Sequence, residues 1–123
     1  MSRAQQFADA LQRLEQDRDL DPFLTQFSDD VRLMRPETGG HEEGGDGARA
    51  FWTAYLEQFD DIASTFGRLV DAGALGELEW TSTGRLKTGR EIRYTGVSLL
   101  EHDDDGNVQR FVSYYDTAAF VRP

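Results

Sequence analysis

Two runs of alternating residues, REIRYTGVSLLEH at 90–102 and VQRFVSYYD at 108–116, flank the acidic turn Asp103-Asp104-Asp105-Gly106-Asn107. Successive side chains of a strand point to opposite faces, so period-two alternation about a glycine-containing turn predicts an antiparallel hairpin. One face carries Ile92, Tyr94, Ser98, Leu100, Phe111, Ser113 and Tyr115, and the other carries Val97, Leu99, Val112 and Tyr114. Both faces are substantially apolar. Such a sheet needs cover on both sides, with a core or ligand pocket against one face and a partner against the other.

The chain of 123 residues suits a single domain, 1–123, with a proper core. Eight Phe, four Tyr and two Trp argue against disorder despite the charge. The net charge of −10 disfavours nucleic acid and anionic membrane surfaces, both of which call for a basic patch. Lys87 is the sole lysine and Asp outnumbers Glu, a bias that fits a high-salt cytoplasm or a GC-rich genome. With no cysteine, disulfides, thiolate metal sites and Cys nucleophiles are excluded. The N-terminal residues lack the apolar stretch of a signal peptide, and no run approaches the roughly 20 apolar residues of a membrane span. The expectation is a soluble cytoplasmic protein.

Phe7, Leu11 and Leu14 recur at helical spacing, which predicts an amphipathic helix over 3–17. Asp21-Pro22 supplies an N-cap and first-turn proline for a short second helix bearing Phe23, Leu24 and Phe27, packed on the first as a hairpin. Val31–Arg35 reads as a strand stopped by Pro36, and ETGGHEEGGD at 37–46 as a mobile loop. Asp46 is the expected cap of a third helix over 47–59, with Phe51, Trp52, Tyr55, Leu56 and Phe59 on its apolar face. From Ile62 onward the chain reads as four long strands broken near Ala72-Gly73, Thr88-Gly89 and Asp105-Gly106, an α+β order.

That order, with FSDDVRLMRP at 27–36, GARAFW at 47–52 and GREIRYTGVSLLEHDDDGNVQRFVSYYD at 89–116, resembles the nuclear transport factor 2-like superfamily and within it the SnoaL-like group. The resemblance covers essentially the whole chain. It implies a cone-shaped, strongly curved mixed β-sheet enclosing a pocket, with three helices in the N-terminal half. Ketosteroid isomerase, limonene epoxide hydrolase, SnoaL-type polyketide cyclases and non-catalytic binding domains share that fold, so function must be argued from the pocket. The isomerase's base falls on Arg35, and its two oxyanion donors fall on Leu11 and Ser98. The epoxide hydrolase's set falls on Glu79, Thr81 and Ser113. Neither catalytic set is present, since a guanidinium cannot abstract a proton and Leu cannot donate a hydrogen bond.

On this reading Arg35 and Glu79 both face the pocket, either as a structural ion pair or as a catalytic pair in which Arg35 holds an oxyanion and Glu79 moves a proton. His41, in the Gly-rich loop, is either solvated or brought to the substrate when that loop folds over the mouth. Leu33, Trp52, Tyr55, Phe59, Thr81, Tyr94, Ser98, Phe111, Ser113 and Tyr115 are the expected pocket wall. These residues serve a small apolar or polycyclic ligand, or simply fill the core. No metal or other cofactor is expected: Glu42 and Glu43 flank His41 without a second His at ligand spacing, and Asp103–Asp105 precede Gly106 too closely for a calcium loop. Leu78, Trp80, Val97, Leu99, Val112 and Tyr114 are assigned to the convex face, which the resemblance implies is buried in a homodimer. The functional expectation is a cofactor-independent isomerase, cyclase or lyase acting by proton transfer on a small apolar carbonyl compound. The alternative is a non-catalytic ligand-binding or dimerisation module.

Overall fold

The structure, a computed structural model, describes residues 2–121. Its first helix, α1 (Arg3–Asp17), starts where the Ser2 hydroxyl accepts from the Gln5 N–H at 3.1 Å. It stops at Arg18, whose φ of 58° places it in the left-handed region and whose N–H closes on the Leu14 carbonyl. The Arg18 guanidinium then donates to the carbonyls of Leu56 at 2.6 Å and Phe59 at 3.2 Å. One side chain thus fastens the end of α1 to the end of the third helix.

After α2 (Leu20–Leu24) come β1 (Phe27–Arg35), a 3-10 turn at Pro36–Thr38, β2 (Gly40–Glu43) and α3 (Gly44–Glu57). Then follow β3 (Phe59–Ala72), β4 (Leu75–Leu86), β5 (Glu91–His102), β6 (Val108–Tyr115) and a closing 3-10 turn at Thr117–Phe120. The six strands form one open mixed sheet in the order β2-β1-β6-β5-β4-β3, with β1 and β6 parallel and all other neighbours antiparallel. The helices lie against its concave side, α1 on β3 and α3 on β1, around a core that includes Phe7, Leu14, Leu33, Phe51, Phe59 and Leu100. This is the expected α+β curved sheet.

Several local expectations change, and Phe27, expected on the second helix, opens β1. Residues 40–43, read as part of a mobile loop, pair with β1 from Arg35↔Gly40 to Arg32↔Glu43, because the β1 edge otherwise leaves its backbone groups unpaired. The α2 cap is Asp19, which accepts from the Asp21 N–H at 3.3 Å, and Pro22 sits inside the turn. Helix α3 begins three residues early, at Gly44, so Asp46 lies in its first turn, and Phe59 opens β3.

The largest correction is the face of β4. Residues directly opposite in a ladder share a face. The register sets Leu78 against Ser98, Trp80 against Gly96 and Ser82 against Tyr94, so these β4 side chains join the concave face. Glu79 and Thr81, opposite Val97 and Thr95, are therefore on the outer face. Leu78 is 1 % exposed, as the inward assignment requires. The hairpin itself keeps the predicted faces: Ser98↔Ser113 and Leu100↔Phe111 inward, Val97↔Tyr114 and Leu99↔Val112 outward.

Gly96 makes this wall possible. A Cβ there would collide with the six-membered edge of the Trp80 indole and with the Tyr114 carbonyl, so only a residue without a side chain admits the ring. Replacing Gly96 by Ala is expected to lower unfolding free energy by about 1–3 kcal/mol, in the range of overpacked cores. Urea denaturation of the two proteins measures it.

Candidate functional site

A cavity of about 40 Å³ opens between α1, α3 and the concave face. At roughly 10–15 Å³ per water it has space for about three waters. That falls far short of the roughly 300–1,000 Å³ of a drug-sized site. Its ring wall is formed by Phe51, Trp52, Tyr55, Trp80, Tyr94, Phe111, Tyr115 and Phe120. Phe120 belongs to the closing 3-10 turn and packs on Tyr94, centroid to centroid 4.8 Å, and on Tyr115 at 5.8 Å. Arg90 holds that turn by donating to the carbonyls of Ala119 at 3.1 Å and Phe120 at 2.8 Å. Any ring-sized ligand therefore needs the wall to move apart.

Of the residues expected in the pocket, Arg35, Trp52, Tyr55, Tyr94, Ser98, Phe111, Ser113 and Tyr115 do line the cavity. Leu33 and Phe59 are fully buried in the surrounding core and do not line it. Glu79 and Thr81 flank a shallow outer depression with Thr95 and Val97, so the expected Arg35–Glu79 pair does not exist. His41 is exposed on β2, its Nε2 3.3 Å from Glu43 Oε1, away from the cavity lining. Trp80, assigned above to the convex face, lines the cavity, and Val112 is only 1 % exposed.

In place of Glu79 the fold brings in Glu15, which the sequence reading passed over. Its Oε2 accepts from the Tyr55 hydroxyl and from Ser64 Oγ, each at 2.6 Å, and its Oε1 accepts from the Ser64 N–H at 2.8 Å. Ser64 Oγ also lies 2.6 Å from Ser82 Oγ. Tyr55, Ser64 and Ser82 all line the cavity, so the carboxyl behind them is wired to it through hydroxyls. Burial holds the Glu15 carboxyl above its ordinary value, against the opposing pull of hydrogen bonds from Ser64 and Tyr55. The Tyr55 and Tyr94 hydroxyls are likewise pushed up, chiefly by burial, and stay neutral donors. A second chain of polar groups runs Trp80 Nε1 to Ser98 Oγ at 2.9 Å and on to Ser113 Oγ at 2.6 Å.

Across the cavity stands Arg35. Its guanidinium lies over the Phe51 ring, 3.6 Å from the centroid, and donates to the Phe51 carbonyl at 3.3 Å. Burial lowers its affinity for the proton, against an opposing pull from Tyr115, Tyr94, Tyr55 and the Glu42 carboxylate. Among the described residues it has no carboxylate within ion-pair distance. The site thus combines a cation, neutral hydroxyl donors and one hydroxyl-linked carboxyl. No cluster of three or more His, Cys, Asp or Glu able to hold a metal ion occurs among the described residues.

A sequence signal for Glu15 does exist: it follows Phe7 and Leu11 at spacings of four and so occupies the buried stripe of α1. Because its native pKa is raised, the folded protein favours the protonated form. The associated stability is fully present below the ordinary carboxylate range and is lost as pH rises through the raised value. Wild type should therefore lose stability relative to Glu15→Gln as pH rises out of the ordinary carboxylate range. Paired urea titrations from acid to neutral pH report the difference.

Residues 4–111 match the SnoaL-like domain. No curated protein matches the chain. Among solved structures, a nuclear transport factor 2-like protein of unknown function from Burkholderia pseudomallei K96243 is 22% identical, with a TM-score of 0.84, covering 99% of this chain and 97% of that one. TerC, co-crystallised with polyporic acid, is 21% identical at a TM-score of 0.82, with 98% and 96% covered. A Mycobacterium tuberculosis protein in complex with estradiol-17β-hemisuccinate is 16% identical at a TM-score of 0.79, with 97% and 98% covered. At these identities the likeness to the solved structures is one of fold. The match over residues 4–111, most of the chain, shows that it belongs to the SnoaL-like domain family.

Proposed function

We propose that this protein binds a compact, largely apolar carbonyl compound in the cavity and transfers a proton on it, as a cofactor-independent isomerase, cyclase or lyase. The observation that carries the reading is the buried Glu15 carboxylate, hydrogen-bonded by two side chains, Tyr55 and Ser64, that themselves face the cavity. A carboxyl raised by burial and linked by hydrogen bonds to the cavity is suited to general acid–base work. With the substrate oxygen against Arg35, the Tyr55 oxygen takes a hydrogen from the carbon beside the carbonyl while its own proton passes to Glu15. The C–H pair becomes the enolate, whose charge the guanidinium offsets. Return of the proton through Tyr55 to a different carbon gives the isomer and restores Glu15.

Cyclohex-3-en-1-one, a single-ring ketone, tests this by its conversion to the conjugated enone, followed by ultraviolet absorbance. The protein should accelerate it, and Glu15→Gln or Tyr55→Phe should reduce the rate by about 10²–10⁴-fold. Saturable binding of the ketone with no acceleration would reject proton transfer in favour of the second reading, a non-catalytic ligand-binding module.

The outer face supports a partner as well. Leu99 and Tyr114 are 37% and 42% exposed beside Val97, an apolar stripe that a second copy of the chain would cover. Native mass spectrometry should give a dimer, and Tyr114→Glu should shift it to monomer. A monomeric wild type would remove the proposal.

A further inference from the structure

We infer that the ligand of this cavity enters it already as an anion, a planar compound with a delocalised oxygen charge, either a conjugated carboxylate or the enolate of an acidic 1,3-dicarbonyl. The inference rests on the cavity being the ligand site and adds the chemical class; a carboxylate ligand is compatible with either proposed reading, whereas an enolate that enters already deprotonated leaves no proton for Tyr55 to take and goes with the ligand-binding reading. Three observations converge on it. First, the Arg35 guanidinium is largely buried and has no carboxylate within ion-pair distance among the described residues, Glu42 acting on it only from farther off; the one hydrogen bond it makes to a described residue is to a neutral backbone carbonyl. A charge removed from water without a counter-charge is costly, and an anionic ligand is what offsets it. Second, Trp52 lines the same cavity and its Nε1 is the one buried side-chain nitrogen or oxygen without a hydrogen-bond partner among the described residues. An indole N–H can only donate, so it calls for an acceptor. Third, the acid nearest the cavity is already committed: Glu15 is held by Tyr55 and Ser64 and is pushed by burial towards its neutral form.

The result is a cavity with positive character inside a protein of net charge −10. Its remaining donors point the same way. The Tyr94 hydroxyl, pushed up by burial, stays a neutral donor on the same wall, while the Tyr55 hydroxyl is engaged with Glu15. Planarity follows from the wall, since Phe51, Phe111, Trp80 and Tyr115 present ring surfaces to whatever is bound. A fork-shaped guanidinium stacked on Phe51 matches a planar pair of oxygens better than a single point charge.

Four probes decide it by calorimetry: benzoate and cyclohexane-1,3-dione, both anionic near neutral pH, against their neutral counterparts benzamide and cyclohexanone. The expected result is that at least one anion binds about tenfold or more tightly than its counterpart. Preference for benzoate alone points to a carboxylate, and preference for the dione alone to an acidic enol. In Arg35→Met that preference should vanish while the neutral probes still bind. Because Arg35→Met removes an uncompensated charge, its ligand-free form should melt higher than wild type, which separates loss of binding from loss of folding. Trp52→Phe, which keeps a ring and deletes the N–H, should weaken the preferred anion several-fold. Equal binding of anionic and neutral probes, or a preference that survives in Arg35→Met, would overturn the anion inference and leave the cavity as a site for neutral ligands. Failure of all four probes to bind would overturn the inference together with the reading of the cavity as a ligand site.

Discussion

The indole of Trp80 reaches over Gly96 on the neighbouring strand and donates to Ser98, whose hydroxyl meets Ser113 on the strand beyond. This crossing ties β4, β5 and β6 together on their concave side and fixes which residues face inward along all three. Once Trp80 is inside, Ser82 must be inside too, and through Ser82 the hydroxyls extend to Ser64, Glu15 and Tyr55. The two polar chains of the cavity therefore share one origin in strand register. A shift of one residue would put Glu79 where Trp80 is and break both.

Much of this was legible in the residues. The hairpin faces, the order of helices and strands, and eight wall positions followed from period-two and period-3.6 patterns, which sum over many residues and tolerate local error. β4 was misassigned because its alternation, LEWTST at 78–83, has a bulky apolar residue only at Leu78 and Trp80. Two such positions say that a face exists, but which face it is depends on the partner strand. Glu15 was missed for the opposite reason. It stands in phase with Phe7 and Leu11, yet a charged residue in an apolar stripe is easily taken as the stripe's edge. Its partners Tyr55 and Ser64 lie 40 and 49 residues away, and only the fold brings them together.

Arg35 and Glu15 illustrate two ways of keeping an ionisable group out of water. Glu15 is satisfied by short hydrogen bonds, and burial moves it towards neutrality, so its charge can come and go. Arg35 keeps its charge and leans on a ring face and one carbonyl. The first arrangement suits a group that exchanges a proton, the second a group that waits for a counter-charge. Functional sites commonly carry this kind of local cost, which the surrounding core offsets.

Leu11 near the beginning of the chain and Phe120 near the end of the described residues both wall the cavity. The site is therefore incomplete in any fragment that lacks either end of that span, and in a partly folded chain whose final strand has yet to dock. A ligand that fits it binds only the completed fold, so its binding free energy adds directly to global stability through mass action. Occupancy would then act as a signal of intactness: in a cell supplied with the compound, complete molecules resist unfolding and proteolysis, while truncated or misassembled copies gain nothing from it.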